Sequence, residues 1–523
     1  MQSCKALLSL TLISLLLIIF YTASIEGNNL AFNLLNTEIT SLDLSIYRMV
    51  SYLLFISFLI VLSLKNLTFF ETFSLGFYTI SSIAAILSKK IILMVVFFEL
   101  MVFSAFLILS KNKEPAVRYV CTHLFAGMIL LVGAAYSEFG GSSSLIMIGL
   151  LINCACFPFS FWVVDAYPAA SPYSVIYLSI FTTKISFLAM LVHTEALLSE
   201  YSKVLMFFGF ATAVYAIIFA SLEKHIHRFL CYNVVGQMGL LILVGGLLSL
   251  SENRISCITV QIIASVTYQS LLFFVANAVI IRVKATNFDS IGGLFKYMPI
   301  EAICSLVAIC SMAAFPGTIG FISKSYAIAS VTEKNATTGL YLILFKILNF
   351  LFYSSVGLKF FYYIFIAKSK LRISLARRSK YSYLPMIILS FICLAAGYPY
   401  LFNKYSIYNL ENVLSQLSLL FCTTLLFILL RQIFLPRVNF RMDIDWIFRM
   451  FISYFAVLLE KLISYTKKIV IATLQSLTKL LVTSYSKNII KCKKVFNYNS
   501  VSFASIFSLF IMSIFLILIC LSH

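Results

Sequence analysis

The sequence predicts an all-α polytopic membrane protein of about 14–15 transmembrane helices, at about 20 apolar residues per span. Three observations carry this. Hydrophobic residues make up 61% of the 523-residue chain, charged residues only 11%, and mean hydropathy is +1.00. Apolar runs long enough to span a bilayer recur from end to end, and charge is concentrated in the connections between them. A lipid-embedded chain must satisfy each backbone amide within its own segment, so such runs read as helices.

In order, the predicted spans lie near 4–24, 44–64, 68–87, 90–110, 116–136, 144–163, 173–192, 203–221, 229–249, 256–281, 299–331, 341–366, 384–403, 412–434 and 501–521. The first begins after Lys5 and superficially resembles a signal peptide; with no small-residue cleavage site it reads as a transmembrane helix. The net charge of +20 does not point to nucleic acid, because no soluble basic module carries it. Basic residues instead sit in alternate connections: Lys111, Lys113 and Arg118; Lys224 and Arg228; Arg282, Lys284 and Lys296; and KSKLRISLARRSK over 368–380. The positive-inside rule places these in the cytoplasm, and with them the N-terminus. Lys89 and Lys90 fall on the opposite side.

Three segments follow: a transmembrane domain over 1–435, a basic amphipathic segment over 436–500 and a C-terminal transmembrane helix over 501–523. Within 450–486, Glu460, Lys461, Ser464, Lys467, Lys468, Gln475 and Lys479 fall mostly on one helical face opposite Leu, Ile and Val. That segment is expected to lie on the cytoplasmic surface, packed along another subunit of the assembly or held as an anionic-lipid anchor. The 299–331 span is broken at Phe315-Pro316-Gly317-Thr318, since proline removes a ladder hydrogen bond. Non-helical backbone at membrane depth is tolerated where protein buries it or it lines a wet cavity.

Three charges lie inside spans: Glu99 in VVFFELMVFSAF, Lys184 in FTTKISFL and Lys324 in GFISKSYAI. On an insertion scale a lysine at a helix centre costs about 2.5–3.5 kcal/mol, so each should face the bundle interior, paired or hydrated. Burial draws carboxyls and amines alike towards neutrality, which is what a proton relay requires. A structural ion pair that fixes helix packing is the alternative. Lys346 and Lys359 are further candidates, Lys359 being near enough to a helix end to snorkel. His225-Ile226-His227 does not put two imidazoles on one helical face, and the twelve cysteines are scattered with no metal-ligand spacing. No cofactor, phosphate-loop or catalytic fingerprint is present, so no cofactor or metal is expected.

Three stretches, PFSFWVVDAYPAASP at 158–172, RFLCYNVVGQMG at 228–239 and FPGTIGFISK at 315–324, resemble the antiporter-like family. Its members are the D-type and A-type subunits of Mrp multisubunit cation/proton antiporters and the large membrane-arm subunits of complex I. The resemblance covers roughly residues 40–435; FTTK, DAYPAASP and Asp443-Ile444-Asp445-Trp446 lean to the D-type branch. It implies two inverted five-helix repeats, each with a broken helix, here at Pro158 and at Pro316-Gly317. It also implies an ion-translocating chain of mid-membrane charges, falling on Glu99, Lys184 and Lys324. Four departures stand out. Family lysines would fall at Asn153 and Gln269, a family histidine at Ser160, and a helix begins with His225-Ile226-His227-Arg228 in place of an acidic-Leu-Lys-Arg run. One N-terminal helix fewer is expected.

The expected function is therefore proton/cation translocation within a multisubunit antiporter in the cell inner membrane, alongside other membrane subunits and the lipid bilayer. The alternatives are a proton-pumping membrane subunit of an NADH-quinone oxidoreductase, or a degenerate structural subunit. An AT-rich residue bias leaves an organellar inner membrane open.

Overall fold

The computed structural model describes Ser9, Leu12, residues 44–64, 69–88, 90–138, 144–331, 335–367, 383–398 and 408–431, and Tyr454. The chain divides into two compact units, Met1–Arg441 and Met442–His523, and of the second only the exposed helical Tyr454 is described. The predicted spans 4–24 and 501–521, the basic run 368–380 and the amphipathic segment 436–500 therefore lie outside the described residues, apart from Ser9, Leu12 and Tyr454.

In chain order the helices are α1 (Leu44–Ser63), α2 (Phe69–Leu87), α3 (Ile91–Leu109), α4 (Lys113–Glu138), α5 (Ser144–Asn153), α6 (Phe161–Ala166), α7 (Pro172–His193), α8 (Glu195–Glu200), α9 (Ser202–Leu222), α10 (Ile226–Leu247) and α11 (Arg254–Val283). They continue as α12 (Pro299–Met312), α13 (Ile319–Ala329), α14 (Ala336–Ile366, π-helical over Tyr353–Leu358 and Tyr362–Ile366), α15 (Tyr383–Ala395) and α16 (Leu410–Leu430). Among the described residues ten helices are long and apolar enough to cross a membrane, against about fifteen expected at about 20 residues per span. The difference has physical causes. Two predicted spans are each broken into short halves, α5/α6 and α12/α13, and of the described residues of 384–403 only those in the 13-residue α15 are helical. The first and last predicted spans fall outside the described residues.

The two breaks are built alike. α5 ends with Ala155 at φ 58°, Cys156 N–H donating to Leu151 O (3.0 Å) and Ala155 N–H to Ile152 O (3.0 Å). α12 ends with Ala314 at φ 58°, Phe315 N–H donating to Cys310 O (2.9 Å) and Ala314 N–H to Ser311 O (3.1 Å). Each is a Schellman closure, which satisfies the last carbonyls of a helix with a left-handed residue. A Phe-Pro pair follows in both places, at 157–158 and 315–316. In the second, Gly317 at φ 88° supplies a turn that an L side chain would strain.

α10 is buried at every residue but Arg228, α7 and α11 over most of their length, and these three form the centre. α2, α4, α14 and α16 turn apolar side chains such as Phe69, Phe125, Ile343 and Leu429 outwards, the surface a bilayer would cover. α9 crosses α10 with backbones nearly touching: a Cβ on Gly239 would lie 2.6 Å from Ala213 N. Small residues at a crossing let helices approach closely where the hydrophobic effect gives no drive to associate. Gly239→Val is expected to destabilise the bundle by about 1–3 kcal/mol by overpacking. Thermal melting of the detergent-solubilised protein checks this; an unchanged midpoint would mean the crossing is looser than described.

Candidate functional site

Lys184 sits at the middle of α7, whose first turn is set by Pro172. Its ammonium is 1% exposed and donates to Ser179 O (2.9 Å) and to Gln269 Oε1 on α11 (3.2 Å). Gln269 is the position at which the sequence resemblance expects a lysine. A second ammonium at that distance would repel the first, whereas the amide oxygen accepts from it. The Gln269 Nε2 group is buried without a partner. Around Lys184, α7 buries Ser179, Thr182, Thr183 and Ser186, a polar core unusual for a helix facing no solvent.

Lys324 lies on α13, just past the second break. It is 4% exposed and its ammonium donates to Met312 O, the terminal carbonyl of α12. The last carbonyls of a helix have no intrahelical donor and carry the negative end of its dipole. The break therefore creates the acceptor that the lysine uses. α11 packs against both α7 and α13. Its Gln261, Ser265 and Gln269, at i, i+4 and i+8, share one face and are all buried, and Gln261 Oε1 has no partner.

Glu99 lies on α3, 4% exposed. Its Oε1 packs over Gly127 of α4, where a Cβ would approach to 2.0 Å, and its Oε2 is buried with no hydrogen-bond partner. Asn153, where the resemblance expects a lysine, instead ends α5 with its Oδ1 2.8 Å from His123 Nδ1. The His123 ring packs against Tyr119 (centroids 4.3 Å) and Trp162 (4.4 Å), which also contact each other (5.5 Å). Sequence reasoning passed over His123, although YVCTHLFAG at 119–127 sets a lone histidine in an apolar helix one turn before Gly127.

No hydrogen bond or ion pair among the described residues joins Glu99, Lys184 and Lys324 to one another, and none of the three has an opposite charge within ion-pairing distance. The structural-pair alternative therefore does not describe them. Ion pairs instead gather in the basic connections: Arg118–Asp165 (2.5 Å), Lys224–Asp289 (3.4 Å) and Arg228–Glu223 (3.5 Å). Of the histidine pair, His225 caps α10 by accepting from Arg228 N–H, while His227 Nε2 meets Asn277 Oδ1 at 2.7 Å.

The further lysines separate sharply. Lys346 is exposed on the outer face of α14. Lys359 does not snorkel: fully buried, it donates to Ala220 O (2.9 Å), Ser221 O (2.6 Å) and Glu223 O (3.0 Å), closing the C-terminal end of α9. The Phe229 and Phe288 rings flank it at 5.2 and 5.7 Å. The tertiary fold places it against these carbonyls, which span position alone does not disclose.

Two measurements follow from this geometry. Gly127→Ala must displace the Glu99 carboxyl, shifting the infrared carboxyl band identified by its loss in Glu99→Gln; an unmoved band in a folded variant would refute the contact. Lys359→Met leaves buried carbonyls unsatisfied at about 1–3 kcal/mol each, so its melting temperature should fall while that of Lys346→Met does not. Equal melting of the two variants would refute a structural role for Lys359.

Residues 69–349 match the family model described as NADH:quinone oxidoreductase/Mrp antiporter, transmembrane. The A/B component of a probable K(+)/H(+) antiporter of Rhizobium meliloti (strain 1021) is 26% identical over 289 residues, 48% of this chain and 28% of that protein. The N 1 component of the NADH-quinone oxidoreductase of Herpetosiphon aurantiacus is 31% identical over 201 residues, 38% of this chain and 39% of that protein. The chain thus matches well under half the length of these curated relatives. Among solved structures, a chain of the Mrp complex from Dietzia sp. DQ12-45-1b superposes with a TM-score of 0.62 at 17% identity, covering 76% of this chain and 89% of that one.

Proposed function

Because the chain belongs to the NADH:quinone oxidoreductase/Mrp antiporter transmembrane family, we propose that it is an ion-translocating subunit of a multisubunit cation/proton antiporter. On the motifs DAYPAASP and FTTK we place it on the D-type branch. The observation that carries the reading is the set of buried ionisable side chains with no opposite charge beside them. Glu99, Lys184 and Lys324 are buried on three separate helices, α3, α7 and α13, with the polar face of α11 between the last two.

A permanently paired lysine would hold its proton; one held by a carbonyl and an amide can lose it without stranding a counter-charge. Its charge state then responds to neighbouring charge, because Coulomb interactions are weakly screened in a low-dielectric interior. A proton arriving at one group changes the proton affinity of the next, so net charge passes along the row. The cation that moves in the opposite sense is monovalent on this reading, and the partners are further membrane subunits in the cell inner membrane.

Lys184→Ala is expected to abolish proton-coupled cation flux in membrane vesicles while leaving assembly with the other subunits intact. Flux at the unmodified rate would remove Lys184 from the pathway. The likeness to a component of an NADH-quinone oxidoreductase favours a second reading, a pump subunit driven by a redox complex. Capture of the chain from gently solubilised membranes separates the two: small hydrophobic antiporter subunits as companions support the first, iron–sulfur and flavin subunits the second.

A further inference from the structure

The row of ionisable groups has a gap between Glu99 and Lys184, and His123 stands in it. His123 and Gly127 are one turn apart on α4, so they share a face, with Cβ positions about 5–6 Å apart. Gly127 carries the Glu99 carboxyl on its surface, while His123 is 3% exposed at the next turn. With Asn153 presenting Oδ1 at 2.8 Å, His123 Nδ1 is the N–H donor, and Nε2 is the lone-pair nitrogen. That Nε2 is buried with no hydrogen-bond partner, as is Glu99 Oε2. Two buried orphan atoms of complementary chemistry, set against adjacent turns of α4, call for a functional account.

On the other side, Tyr119 contacts the imidazole, and its hydroxyl lies beside the bonded Tyr78–Thr182 pair. Thr182 is on α7, two residues before Lys184. Buried polar atoms thus run from Glu99 past His123 and Tyr119 to the polar core around Lys184.

We propose that His123 is a proton-carrying group of this chain, taking a proton at Nε2 from the Glu99 side and releasing it from Nε2 towards Lys184, while Asn153 positions the ring. The step is imidazole to imidazolium and back: uptake breaks an O–H bond on the Glu99 side and forms Nε2–H, release breaks Nε2–H and passes the proton on towards the Lys184 amine, and Nδ1 keeps its proton, donated to Asn153 Oδ1, throughout. This inference rests on the translocation reading above.

The test uses the full chain in its native membrane assembly. His123→Gln keeps a hydrogen-bonding side chain but cannot ionise, and should lower proton-coupled flux at least tenfold with assembly unchanged. Adding Asn153→Lys to that variant puts a titratable amine beside position 123 and should restore flux. Unchanged flux in His123→Gln overturns the proposal, and so does a loss that Asn153→Lys does not rescue, which would mark His123 as a packing residue. Lys184→Ala, measured in parallel, keeps the two ideas apart. Absence of proton-coupled flux from the unmodified assembly would sink the translocation reading itself, and retained flux in Lys184→Ala would remove Lys184 from the pathway, whereas loss in Lys184→Ala together with normal His123→Gln flux would sink only the role of His123.

Discussion

An ammonium group inside a lipid-embedded bundle must find either a carboxylate or backbone carbonyls, and in this protein it finds carbonyls. Lys324 bonds Met312 O, Lys359 bonds the carbonyls of Ala220, Ser221 and Glu223, and Lys184 bonds Ser179 O. Two of these acceptors exist only because a helix ends: α12 at its break and α9 at its C-terminus. A helix end leaves carbonyls without intrahelical donors and with the negative end of the dipole, so it holds a cation without supplying a negative formal charge. The arrangement solves the burial problem while leaving the lysine free of a partner that would trap its proton.

The same constraint divides the molecule. Ion pairs close the connections at the basic end, where Arg118 meets Asp165 and Lys224 meets Asp289. Inside, the neutral polar groups around the buried charges include amides, hydroxyls and imidazoles: Gln269, Gln261, Thr182, Asn153 and His123. Neutral polar groups can solvate either protonation state of a neighbour, since most of them both donate and accept. A row of carboxylates paired with lysines would be electrostatically tighter and less able to change state.

The two broken helices bear on this because each opens the ladder in the same way, with an alanine in the left-handed region ahead of a Phe-Pro pair. After the second break the freed carbonyl goes to Lys324. After the first, α5 ends at Asn153, whose side chain goes to His123. One backbone device therefore serves two different side-chain arrangements.

The sequence by itself determined the helical membrane class, the positions of most spans and the presence of Glu99, Lys184 and Lys324 at span interiors. Apolar length and isolated charge are local properties, and lipid leaves the backbone few alternatives. Pro316-Gly317 announced its break for the same reason, as proline and glycine act on their own dihedrals. What only the tertiary structure decided is who faces whom. Gln269 accepts from Lys184, Gly127 makes room for Glu99, His123 meets Asn153, and Lys359 closes a helix more than a hundred residues earlier in the chain rather than reaching the surface. Helices that are apolar all round carry no stripe to show which side turns inwards. Their partners are set by close backbone crossings and helix ends that come together only in the folded bundle.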